Sequence, residues 1–321
     1  MTVLILARDI EPQVDRVVEE LTERGIPIFR TDLAAFPTSL ILDARLGPSG
    51  WDGVLANPHR QLKLSDIRSV WYRHPSHFVF PDGLTRPERR HAAAEARCGL
   101  SGVLCSLDVL WVNFPSREAD ALKPRQLAVA RRCGLRVPET AVTNCANGLR
   151  VFAAELGRPL ATKNLSAAVI AEAGGLHTAY TRRLEQADLD DLCGVETTAH
   201  LFQRFIEPKA FEARVTVVGD RVFAAGIHAG SEAARLDFRS DYASLTYSVV
   251  TPPEQVTAGM RAFLRAFGLS FGCFDFAVTP DGEWIMFECN PFGQYGWLED
   301  ELGFPITSAL VDLLADGVVS R

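Results

Sequence analysis

Phe271-Gly272-Cys273-Phe274-Asp275-Phe276-Ala277-Val278 and Trp284-Ile285-Met286-Phe287-Glu288-Cys289-Asn290 are two apolar runs joined through Thr279-Pro280-Asp281-Gly282-Glu283. Aromatic and aliphatic runs of this length, broken by Pro-Asp-Gly, predict a β-hairpin. With Asp281-Gly282 as a two-residue turn, Pro280 faces Glu283, and counting back sets Asp275 opposite Glu288. Asn290 shares their face, because side chains alternate with period two. Like charges directly opposed on neighbouring strands repel. Phe274, Phe276, Ile285 and Phe287 mark the hairpin as packed, where an unbalanced carboxylate is costly. A cation between the two resolves the conflict. Two carboxylates and an amide oxygen are hard donors, the kind that Mg²⁺ takes together with water and phosphate oxygens. The alternative is a solvated polar face, and the packed neighbours weigh against it.

Working outward, three cations precede the hairpin: Lys123, Lys163 and Arg214. Lys163 ends the apolar strand Leu160-Ala161-Thr162 and precedes a loop with Ser166, Gly174 and Gly175. Backbone amides of such loops reach phosphate oxygens, although taken alone a lysine there reads sooner as a solvated charge before a flexible loop. Arg214 alternates with apolar residues in a strand from Phe211 to Val218 and projects to the same side as Glu212, so a surface ion pair is its plain reading. Gln203-Arg204-Phe205-Ile206-Glu207 is a strand running into Pro208. Backbone at such a strand end can pair with an adenine edge, and a carboxylate just beyond can hold ribose hydroxyls.

The start of the chain has a different rhythm. Val3 to Leu6 is a continuous apolar run, as in a strand buried on both faces. Val14, Val17, Val18 and Leu21 follow on one helical face, and Ile26 to Arg30 returns as a strand. This β-α-β opening predicts a small parallel sheet. Ser39 to Leu42 and Leu62 to Val70 read as further strands, and Pro87 to Leu107 as a long helix. The fold class is therefore α/β (α+β), divided into residues 1–115, 116–198 and 199–321.

Composition narrows the function. The 321 residues are 47% hydrophobic and 23% charged, with net charge −7. That suits a soluble enzyme and argues against bare nucleic acid, which needs clustered Lys and Arg. Seven cysteines without a C-x-x-C pair read as reduced thiols. No apolar run is long enough for a spanning helix, so no membrane partner and a cytoplasmic location are expected.

In order, these features are Lys123, strand-ending Lys163 with its loop, Gln203 to Glu207, Arg214, then Asp275 and Glu288-Cys289-Asn290-Pro291. That order resembles the ATP-grasp superfamily and implies its three domains: an N-terminal pre-ATP-grasp domain, a small central domain, and a C-terminal antiparallel-sheet domain, with the nucleotide cleft between the last two. Lys123-Pro124-Arg125-Gln126-Leu127, Gly134 to Thr140, Val70-Trp71-Tyr72-Arg73, Asp237 to Tyr242 and Asn290 to Glu299 resemble the ATP-grasp ribosomal peptide maturases, the graspetide (microviridin-like) macrocyclases.

The resemblance implies ATP and Mg²⁺ as cofactors and a ribosomal precursor peptide as partner, with a homodimer also expected. It assigns Asp275, Glu288 and Asn290 to metal; Lys123, Lys163 and Arg214 to phosphates; Gln203, Phe205 and Ile206 to adenine; and Glu207 to ribose. Arg214 would face the transferred phosphoryl group, and Arg73 and Arg239 would grip the substrate carboxylate, which a guanidinium fork matches. Arg73 also reads as an exposed charge at a strand end. The leader peptide is expected on the loop from Ala167 to Tyr180. A ligase adding a free amino acid to a peptide tail would share every ATP residue, and a non-catalytic peptide-binding protein would share the fold; Trp71-Tyr72-Arg73 with Asp237-Phe238-Arg239 favour the macrocyclase.

Overall fold

A computed structural model of the chain describes residues 1–166, 169–172, 175–178, 181–236 and 238–317, with the backbone alone for 169–172, 175–178 and Arg239. The chain divides into two units. One comprises Met1–Glu118, Gly268–Phe271 and Pro305–Arg321, and the other Ala119–Phe267 and Gly272–Phe304.

The first unit is built on the predicted parallel sheet. Strands β1 (Thr2–Ala7) and β2 (Ile28–Thr31) are followed by a meander of β3 (Ile41–Gly47), β4 (Gly50–Asn57) and β5 (Arg60–Lys63), and then by β6 (Ile67–Arg73) and β7 (Leu110–Val112). The order β2-β1-β6-β7 is parallel throughout. Leu4, Leu6, Phe29, Val70 and Trp111 face one core with Leu55 and Leu62 of the meander. Alternation turns Ser69 to the opposite face, where its hydroxyl donates to Leu314 O at 2.7 Å. Leu314 belongs to the helix Ile306–Asp316, which also meets the helix Pro12–Glu23 through Arg24–Asp312 (2.6 Å) and Ser308–Glu20 (2.7 Å). The helix Ile306–Asp316 is part of the first unit. An amphipathic stripe specifies that a helix is buried, not which sheet buries it.

Two local expectations also change. Leu62 to Val70 is not one strand: a short 3₁₀ turn at Leu64–Asp66 separates β5 from β6. Pro87 to Leu107 is the helix Arg86–Ala96, a π-helical turn Arg97–Ser101 and a short helix Gly102–Cys105. No helix among the described residues is long and apolar enough to cross a membrane.

Among the described residues, the second unit carries three sheets. Strands β8 (Thr140–Thr143), β9 (Leu160–Lys163), β12 (Arg182–Arg183) and β13 (His200–Arg204) form an antiparallel sheet in the order β12-β9-β13-β8. Leu149, Leu160, Val195 and Phe202 form its small core. Strands β10 (Val169–Glu172) and β11 (Gly175–Thr178) pair as a hairpin. Strands β14 (Phe211–Val218), β15 (Arg221–Ala229), β16 (Leu245–Val249), β17 (Phe271–Val278) and β18 (Trp284–Asn290) form a sheet in the order β16-β15-β14-β17-β18. Met260, Phe263, Leu264 and Phe267 of the helix Glu254–Phe267 are buried, and the Phe263 ring meets Phe274 edge-on at 5.3 Å.

The β17–β18 turn differs from its expected form. Thr279 N donates to Glu283 O at 3.0 Å, closing a three-residue loop of Pro280, Asp281 and Gly282. Gly282 adopts φ +84°, the left-handed position that ends such a loop. Val278 therefore pairs with Trp284 and Phe276 with Met286, one residue out of the predicted register. A β-bulge at Phe287 then restores it, and Asp275 pairs with Glu288.

In the first unit, Glu118 is mostly buried, and its Oε1 has no hydrogen-bond partner among the described residues. Burial pushes its pKa up to about 8 from the ordinary value of 4.5, against hydrogen bonds from Asn113 and the charge of Arg73. The folded state thus holds a proton that the unfolded chain releases. The resulting stabilisation is full below pH 4.5 and disappears as pH rises through about 8. The unfolding free energy should fall across this window by up to about 1.4 kcal/mol per pH unit. Glu118→Gln should flatten that dependence; an unchanged slope in denaturation at stepped pH would refute it.

Candidate active site

The face of the five-stranded sheet that carries Asp275 collects the chemistry. Arg214 of β14 is buried and donates from Nη1 to Asp275 Oδ1 at 2.7 Å. Its Nη2 donates to Gln294 O at 3.3 Å, and its Nε is buried without a hydrogen-bond partner among the described residues. Burial opposes the guanidinium charge, but Asp275, with Cys273 and Glu288 behind it, raises its pKa above the ordinary value. The plain reading of Arg214 as a surface charge paired with Glu212 is corrected: Glu212 is ion-paired with Lys209.

The other predicted groups converge on the same carboxylates. Asn290 Nδ2 donates to Asp275 Oδ2 at 3.2 Å. Lys123, on the helix Lys123–Arg132, places Nζ 3.2 Å from Glu288 Oε2 and 2.6 Å from Asn164 O, in the loop after β9. The loop after β18 closes tightly over the pair. A Cβ on Gly293 would meet Cys273 Cβ at 2.5 Å and Arg214 Nη2 at 2.7 Å, so only glycine fits there.

Beyond the carboxylates lies a buried apolar cluster. Ile206, Ala277 and Ile285 cluster with Phe287, and Lys163 Nζ lies 5.1 Å above the Phe287 ring. The bulge puts Phe287 with this cluster while its neighbour Glu288 still faces Asp275. Half-buried Phe205 has Arg183 at 5.5 Å and Lys209 at 6.0 Å from its ring centre, and exposed Glu207 pairs with Arg183 at 3.1 Å. The Gln203 side chain is buried and donates to Thr140 Oγ1 at 3.0 Å. Arg204 N and Phe205 N donate to Glu139 O and Pro159 O, so these two amides are committed within the protein and do not read an adenine edge. Ile285 and Phe287, which the sequence marks as packed, thus join Ile206 and Ala277 in one buried cluster.

Two sequence expectations lie elsewhere. Arg73 is 2% exposed and donates to Gln13 in the first unit, so the reading of it as an exposed strand-end charge is corrected. Asp237 and the Arg239 side chain lie outside the described residues, as do the side chains of the expected leader segment, Ala167 to Tyr180.

The donor set fits a magnesium ion. No group of three His, Cys, Asp or Glu side chains suited to a metal occurs among the described residues. Two carboxylates and an amide, with most positions left to water and phosphate, match the habit of Mg²⁺.

The family model for the MvdD pre-ATP grasp domain matches residues 2–118. Macrocyclase MdnC of Microcystis aeruginosa MRC, bound with precursor peptide MdnA, is similar at a TM-score of 0.84 and 30% identity, over 98% of this chain and 100% of that one. A RiPP-associated ATP-grasp ligase of Chryseobacterium gregarium, in complex with ADP and a leader and core peptide, is similar at 0.88 and 26%, over 99% and 97%. Macrocyclase MdnB of Microcystis aeruginosa MRC follows at 0.78 and 28%, over 98% and 99%. Comparison with curated proteins finds no match. The chain belongs to the ATP-grasp ligases of ribosomal peptide maturation and is an ATP-dependent ligase.

Removing one partner of a buried ion pair leaves the other charge uncompensated. Asp275→Ala should therefore cost about 3–5 kcal/mol of stability. Arg214→Met together with Asp275→Ala should cost clearly less than the sum of the two single changes. Denaturant unfolding of the four proteins gives the coupling directly, and strict additivity would contradict the pair's importance.

Proposed function

We propose that this chain uses ATP to phosphorylate Asp or Glu side-chain carboxylates of a ribosomally made precursor peptide. It then joins them to Ser or Thr hydroxyls as esters, or to Lys amines as amides, closing macrocycles. The observation that carries this reading is the face on which Asp275, Glu288 and Asn290 meet Arg214 and Lys123. Precursor peptides bound to MdnC and to the Chryseobacterium ligase support a peptide substrate.

In this reaction a carboxylate oxygen of the peptide attacks the terminal phosphorus of ATP, and ADP leaves. The hydroxyl or amine then attacks the acyl phosphate carbonyl, loses its proton, and expels phosphate. Per crosslink the peptide loses one water.

Asp275, Glu288 and Asn290 would hold Mg²⁺, which when bound neutralises phosphate charge. Arg214, Lys123 and Lys163 bind phosphate oxygens, with Arg214 at the transferred group, where its Nε keeps a donor in reserve. Ile206 and Phe205 give the adenine an apolar seat with Gln203 at its margin, and exposed Glu207 reaches the ribose. No side-chain nucleophile is required; catalysis rests on positioning and on charge complementarity to the transition state.

Arg73 and Arg239 are assigned to the substrate carboxylate. For Arg73 this means exchanging its contact with Gln13 for the substrate. The same reading places the enzyme in the cytoplasm, in keeping with seven free cysteines.

Mass spectrometry of a candidate precursor, incubated with enzyme, Mg²⁺ and ATP, tests the proposal against a Glu288→Gln control. Stepwise losses of one water, absent in the control, are expected. A mass gain of one amino-acid residue would point instead to a tailing ligase, and ADP release with an unchanged peptide would overturn the macrocyclase reading.

A further inference from the structure

Strand β18, which carries Glu288 and Asn290, is the last strand of its sheet. An edge strand has a row of outward N–H and C=O groups with no neighbour to hold them. Two elements of the second unit stand in for the missing strand. Near the turn, Met286 N donates to Arg136 O at 2.8 Å, in a parallel bridge between Arg136 and Ile285. Beyond the bulge, a side chain supplies the support.

Gln126 is 3% exposed. Its Oε1 accepts from Cys289 N at 2.7 Å, and its Nε2 donates to Cys289 O at 2.9 Å and to Ala121 O at 2.7 Å. The amide orientation follows from the network, because Cys289 N–H can only donate and the two carbonyls can only accept. The primary amide therefore copies the two-bond exchange that a neighbouring strand would make. It makes that exchange at the one residue lying between Glu288 and Asn290.

Gln126 also lies three residues after Lys123, on the same side of the helix Lys123–Arg132. One helix turn thus supplies the cation beside Glu288 and the clamp on the backbone that carries it. We infer that Gln126 is a positioning residue for the metal site, holding Cys289 so that Glu288 and Asn290 present their oxygens to one ion. The inference rests on the proposed assignment of these residues to Mg²⁺ and adds a requirement that the assignment alone does not contain. Groups that orient metal ligands from behind are worth about 10–100-fold in metal affinity.

The test is the Mg²⁺ dependence of ADP binding by the full chain, measured by titration calorimetry for the wild type, Gln126→Leu and Gln126→Glu. Gln126→Leu removes the whole clamp; Gln126→Glu keeps the acceptor for Cys289 N and loses both donors. The expected result is a half-saturating Mg²⁺ concentration raised about ten-fold or more in Gln126→Leu, a smaller rise in Gln126→Glu, and unchanged ADP affinity without Mg²⁺. A lower melting temperature with unchanged Mg²⁺ dependence would show a merely structural role and overturn the inference.

If Mg²⁺ fails to strengthen ADP binding even to the wild type, the metal assignment itself falls. Hydrogen exchange at the Cys289 amide of the wild type tests the clamp separately, whether or not the variants fold. Protection like that of the interior strand β17 is expected, and exchange at the rate of an open strand edge would overturn it.

Discussion

Two negative charges are held face to face on adjacent strands, and the rest of the site is arranged around that constraint. Asp275 and Glu288 are fixed opposite each other by backbone pairing, which no side-chain rotation can undo. The repulsion is met from two sides. Arg214 reaches Asp275 from the neighbouring strand, and Lys123 reaches Glu288 from a helix. Each cation is tied down in turn, Arg214 to the Gln294 carbonyl and Lys123 to that of Asn164. The loops bearing those carbonyls are thereby drawn to the carboxylates, which brings the segments after β9 and after β18 to one place.

This arrangement gives the cations two uses. As they stand, Arg214 and Lys123 offset the carboxylates. Under the proposed assignment a divalent ion would take over that task, and the same two side chains would then meet phosphate. Burial supports the exchange, since a guanidinium as enclosed as Arg214 interacts more strongly with any anion beside it than it would in water. The buried apolar cluster of Ile206, Ala277, Ile285 and Phe287 packs on the same hairpin.

Much of this was legible because strand alternation is strict and local. The pairing of Asp275 with Glu288, the parallel sheet at the start of the chain and the order of the cations all follow from short-range patterns. What stayed hidden depends on distant partners. Arg214 looks like a surface charge until β17 is laid beside its strand. The helix Ile306–Asp316 shows its apolar stripe but not the sheet it covers. Gln126 stands in plain view three residues after Lys123, yet a glutamine in a helix gives no sign that its amide will stand in for a strand. The expected two-residue turn reached the right partners only because a longer loop and a bulge, neither written in the apolar pattern, cancel each other.

That cancellation separates two jobs within one hairpin. In a strand pair, phase has two values, and one residue added or removed inverts which side chains face the cleft. A defect placed midway resets the phase. The tip of the β17–β18 hairpin and its ligand-bearing end therefore keep independent parity, with Phe287 as the joint between them. A descendant of this chain with a shorter tip would need only to straighten that joint to leave its chemistry in step. Loop length can drift at one end of the hairpin while the other end holds its alignment.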